Sequence, residues 1–279
     1  MYSDGSPRKT SNVLIFFILV LLLGAAAYSP WIFASYGLLP AEFGTVSLII
    51  GSLTPAIVAI ALTGWLGGLS GLGALFKGFI RRGFSKKWYL FVFLAPLVLC
   101  AIALVPLFIL QSGYVLIFGF GFKTATLVAF PLTFLAALTI NLWGEIGWRG
   151  YAQSALQKRF SVLLSSFIVG FFWAIWQWPL FLVNGSTMAN NYLNPLLFGA
   201  FTMLISVTYA WVYAGTKGSL LAVSLFSSSL SGFSDLLFFN SAIAHSVFPY
   251  FFVVCAALAF GLMFVARRTL WGPAVTAPD

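Results

Sequence analysis

Apolar runs long enough to cross a bilayer recur along this chain from Val13 to Ala266, which leaves it few possible folds. Hydrocarbon offers no partner for a backbone N–H or C=O, so a spanning segment must be a helix or a strand of a closed barrel. Runs of about twenty residues fit helices, since a spanning strand needs only about ten. The expectation is an all-α, polytopic membrane bundle of about eight transmembrane helices. With 61% hydrophobic and 7% charged residues and a mean hydropathy of +1.04, the chain lies outside the range of soluble domains.

The expected spans are approximately Val13–Ala34, Thr45–Trp65, Trp88–Leu110, Thr124–Glu145, Ser161–Val183, Pro195–Ala214, Ser219–Phe233 and Val247–Ala266. Between the second and third, Gly67–Lys87 sets Lys77, Arg81, Arg82, Lys86 and Lys87 among Leu, Phe and Ile. That pattern reads as an amphipathic helix on the membrane surface. Residues 1–11 and 269–279 read as tails around a single transmembrane domain, 12–268. The first run is too long for a signal-peptide core, so it should remain as an anchor. With the N-terminus inside, every one of the 14 Lys and Arg except Lys123 falls on the inner side. This bias places both termini in the cytoplasm, in a multi-pass protein of the cell membrane. The net charge of +9 therefore reports orientation and gives no reason to expect nucleic acid.

Polar side chains within the apolar sequence are few. Asn141, Glu145 and Arg149 follow one another at helical spacing, making a polar line on one face at the end of the fourth span. An ionisable residue at membrane depth is by default a functional-site hypothesis. A pair that neutralises itself and pegs two helices together satisfies the same spacing. In the fifth span Gln177 stands among Trp173, Trp176 and Trp178, just before Pro179, whose missing N–H frees a carbonyl that Gln177 is placed to partner. In the seventh span Ser224, Ser227, Ser228 and Ser231 share a face, suited to close helix packing or to lining a small hydrated cavity. His245 is the only histidine, and Cys100 and Cys255 sit in separate apolar runs. No metal site and no Ser-His-Asp triad can be assembled from them, and no cofactor is implied.

The segment Gly144-Glu145-Ile-Gly-Trp148-Arg149-Gly-Tyr151, with its Gln157-Lys-Arg-Phe160 tail, is followed by Trp173-Ala-Ile-Trp-Gln177-Trp-Pro-Leu-Phe181. A third segment, Gly218-Ser-Leu-Leu, leads to Ser227 and Ser231. These three motifs, in this order, resemble the CAAX-prenyl-protease and bacteriocin-processing (CPBP) intramembrane glutamic proteases over about residues 40–268. That family carries two adjacent glutamates followed by Arg, then a His in the second motif, then His and Asn in the third. The resemblance implies that the first glutamate and the second-motif His activate water, and that the third-motif His and Asn hold the oxyanion. Here those four positions are Gly144, Gln177, Ser227 and Ser231. Glu145 and Arg149 remain, and the resemblance implies a structural role for that pair. An amide such as Gln177 cannot take a proton near neutral pH. Loss of one oxyanion donor alone costs about two to three orders of magnitude in rate.

The resulting expectation is a catalytically inactive pseudoprotease. It would bind a membrane protein or a hydrophobic or lipidated peptide at the cytoplasmic side, in a cavity lined by Asn141, Trp148, Trp173, Ser224 and Ser228. One alternative is a divergent endopeptidase acting through Glu145. A small transporter or lipid-handling protein is another, although no internal repeat stands out.

Overall fold

A computed structural model describes residues 8–110, 124–186, 188, 194–239 and 244–272. Lys123, the turn that precedes it and most of both tails lie outside the described residues. Among the described residues there are eight helices long and apolar enough to cross a membrane, and no strand. They are α1 (Arg8–Ser35), α2 (Glu42–Ile80), α3 (Lys87–Leu110), α4 (Thr124–Glu145), α5 (Val162–Gln177), α6 (Pro195–Gly215), α7 (Leu220–Ser234) and α8 (Ala244–Val265). The protein is thus a polytopic helical bundle.

Breaks in these helices fall where the residues demand them. Gly68 adopts φ 56° and ψ −154° inside α2, a region L-residues avoid, and bends the helix there. Before the bend α2 spans the bundle. After it come Leu75 and Phe79, which pack against the apolar cluster that includes Leu220, together with the basic Lys77. Arg81, just past the helix end, donates from Nη1 to the carbonyl of Lys217 at 2.6 Å, so two basic segments meet on one face of the bundle.

Pro55, in the first half of α2, lacks the N–H that would pair with the carbonyl of Gly51. The Thr54 hydroxyl donates to that carbonyl at 2.7 Å and accepts from the Trp176 indole at 2.9 Å. A backbone group freed in hydrocarbon thus ties α2 to α5. Gly170 plays the equivalent part between α5 and α6. A Cβ there would stand 2.7 Å from the Met203 Cα and 2.9 Å from the Ser206 Cβ, so only glycine allows the crossing. Its consequence is to bring Ser206 into the centre of the bundle.

The fourth span departs from its expected end at Glu145. The helix runs on as a π-helix over Ile146–Gln153 and a last turn, Ser154–Leu156, within a span of Phe130–Leu156. Glu145 consequently lies near the middle of the span and not at its end. A wide π turn leaves backbone groups poorly paired, and side chains complete it. The Ser154 hydroxyl bonds the Arg149 carbonyl at 2.9 Å and meets the Tyr213 hydroxyl at 3.0 Å.

Candidate functional site

Arg149 is the largest fully buried side chain in the protein among the described residues, at 0% exposure, and its surroundings explain how it is held. Glu145 Oε2 stands 3.3 Å from its Nη1, and Nη2 donates to the Ser206 hydroxyl at 3.0 Å. The guanidinium carbon lies 4.8 Å from the Tyr209 ring centre and 5.4 Å from that of Trp173, within cation–π range of both. Nε and Nη1 make no hydrogen bond. A charge buried this deeply is tolerable only while its counterion stays.

Above this pair lies a cavity of about 280 Å³. Its wall carries Gly144, Glu145, Gln177, Ser227 and Ser231 together, with Asn141, Trp148 and Trp173 beside them. Helices α4, α5 and α7 therefore converge the three sequence motifs on one space. Gly144 faces it with nothing in the way: a Cβ added there would meet only the Trp148 Cδ1, at 4.0 Å. Three residues on, the reverse holds, because a Cβ on Gly147 would stand 2.6 Å from the backbone of Pro55. That close contact seats α4 against α2.

Gln177 faces the cavity. It does not partner the carbonyl freed by Pro179, because the Trp178 N–H already donates to Ile175. Ser224 and Ser228, expected on the wall, are absent from it. Ser224 donates to the Leu220 carbonyl at 2.8 Å and Ser228 to the Ser224 carbonyl at 2.7 Å. Ser228 also accepts from the Asn141 amide at 3.1 Å, which bridges α4 to α7. Both serines are fully buried, so their role is packing between helices.

Sequence reasoning missed Ser206, Tyr209 and Tyr213, although a signal was present. Thr202, Ser206, Tyr209 and Tyr213 recur at four, three and four residues, a polar stripe along α6. Tyr209 lies beside the Ser227 hydroxyl. Thr54 and Ser154 gave no such signal, because each acts on a backbone irregularity that only the folded chain displays.

Chemically, this wall offers one carboxylate held by an arginine, two amides and several hydroxyls. Glu145 Oε2 is taken by Arg149, and among the described residues no second carboxylate or imidazole lines the cavity. Among the described residues no group of three or more His, Cys, Asp or Glu is placed to hold a metal ion.

The fold and this wall define a class, a multi-pass helical membrane protein with a cavity inside the bundle whose wall carries a few polar groups. Residues 124–229, which carry all of the first two motifs and Ser227 of the third, match the family described as Type II CAAX prenyl endopeptidase Rce1-like. The chain is also 26% identical over 225 residues to CAAX prenyl protease 2 of Methanococcus maripaludis, covering 75% of this chain and 80% of that protein. Both comparisons agree with the resemblance to the CPBP family that the three motifs carry.

Proposed function

We propose that this protein is a non-catalytic member of its family that uses the retained cavity to bind a hydrophobic peptide or the membrane segment of another protein. One observation carries the reading. Gly144, Gln177, Ser227 and Ser231 occupy the cavity wall where the family's water-activating and oxyanion groups are expected, and none of the four can accept a proton near neutral pH. Glu145 does not replace the missing base, because its Oε2 is engaged with Arg149 and the pair is buried. The aromatic walls and the scattered amides and hydroxyls suit a ligand that is apolar but carries hydrogen-bonding groups, as a peptide does. On this reading the termini are cytoplasmic and the bilayer is the working medium.

The test is purification in mild detergent with identification of what co-purifies, beside the variant Glu145→Gln and the paired variant Glu145→Leu/Arg149→Met. Intact partner retained by the unaltered protein and by the paired variant supports binding without cleavage. Shortened peptides that appear with the unaltered protein and with neither variant would establish Glu145 as a working base instead.

A further inference from the structure

The two sides of the cavity differ, and its orientation follows from the helices that build it. Arg81, Arg82, Lys86, Lys87, Lys158, Arg159, Lys217, Arg267 and Arg268 sit at or beside the ends of α2, α3, α4, α5, α6, α7 and α8 that share one face. On that face the half of α2 beyond Gly68 packs on the bundle. A Cβ on Gly78 would meet the Leu220 Cγ at 2.8 Å, and one on Gly150 the Leu75 Cδ1 at 3.0 Å, so the packing there is close. The next layer inward is the Pro55–Gly147 contact and the Arg149–Ser206 bond.

The cavity begins above that layer and runs away from the basic face. Its walls are drawn from opposite helix ends: Tyr28 late in α1, Leu48 and Ser52 early in α2, Phe198 early in α6, Ser234 at the end of α7 and Phe251 early in α8. Along this stretch α2 and α4 both contribute to the wall. Leu48 is 37% and Ile140 45% exposed although both line the cavity, so each has one side on the cavity and another on the outer surface of the bundle.

We propose that the cavity is entered from the non-cytoplasmic leaflet, between Leu48 and Ser52 of α2 and Ile140 and Gly144 of α4, by an apolar peptide segment presented on that side. The side follows from the basic face being cytoplasmic. The cytoplasmic approach implied by the family resemblance meets the closely packed layer. The peptide follows from the wall: Ser52, Asn141, Gln177 and Ser231 offer spaced donors and acceptors that a backbone in hydrocarbon needs and a plain acyl chain does not. The nature of the ligand rests on the binding role proposed above, whereas the side of entry stands independently of it.

The experiment uses the full chain with Cys100 and Cys255 replaced by alanine and single cysteines introduced as Ser52→Cys, Ser231→Cys and, on the basic face, Lys158→Cys. Expressing cells are treated with a membrane-impermeant, charged maleimide, intact or permeabilised. The expected result is labelling of Ser52→Cys and Ser231→Cys in intact cells, with Lys158→Cys labelled only after permeabilisation. Cavity positions labelled only after permeabilisation, or in neither condition, would overturn the proposal. Two cavity positions guard against one variant failing to fold. Prior addition of an amidated Leu/Ala peptide to the outside is expected to slow cavity labelling at least several-fold. Labelling from outside at an unchanged rate removes the peptide ligand, and with it the binding role, while the side of entry stands.

Discussion

Glu145 and Arg149 are four residues apart and meet at 3.3 Å, yet they belong to helix segments wound differently. Glu145 ends the α-helical part of the span, and Arg149 lies within the π-helix Ile146–Gln153. The wider winding turns Arg149 into the core, where Ser206, Tyr209 and Trp173 receive it. Insertions of this kind are found frequently at functional sites.

The pair predicts an asymmetric response to substitution. Glu145→Gln leaves the Arg149 charge buried without a counterion and should cost about 3–5 kcal/mol. Glu145→Leu/Arg149→Met, which removes both charges, should recover most of that loss. Thermal unfolding of the purified variants in one detergent measures both, and equal loss in the two would refute the argument.

Arg149→Lys should be far from conservative. An ammonium cannot lie flat on Tyr209 and Trp173 while reaching both Glu145 and Ser206. The lost cation–π contact in a desolvated site is worth about 2 kcal/mol. A melting temperature unchanged by Arg149→Lys would show that charge alone matters there.

Gly144 and Gly147 should behave oppositely although three residues separate them. Gly147→Ala drives a methyl into the Pro55 backbone and should destabilise by about 1–3 kcal/mol, the cost of overpacking. Gly144→Ala enters open space and removes a helix glycine, which should stabilise by about 0.5–1 kcal/mol. The two single variants, unfolded side by side, decide it.

Thr54→Val deletes the hydroxyl that serves both the Gly51 carbonyl and the Trp176 indole. Leaving buried partners unsatisfied should cost about 1–3 kcal/mol. Thr54→Ser keeps the hydroxyl and should retain most of the stability, with the Trp176 environment followed by fluorescence.

The eight spans were legible because hydrophobic length is a property of the chain alone, and a basic helical segment after the second span could be read from its glycines and cations, although that helix stops at Ile80 and does not reach Lys87. The site was legible only as far as side chains on regular helices go. Gly144, Gln177, Ser227 and Ser231 could be placed in register with known motifs, and they share one wall. The continuation of α4 past Glu145 could not be read, because a π-helix carries no periodicity of its own over so few residues. Ser224 and Ser228 were misplaced for a related reason. A serine stripe fixes which face of a helix is polar but not how far around that face the cavity reaches.

Gly144 stands over space its neighbours have not filled. The surrounding packing is therefore indifferent to what occupies that position, within the size the cavity allows. Most core positions answer to folding first and to function second, but here folding makes almost no demand. Drift at residue 144 across related sequences should record the ligand's history alone.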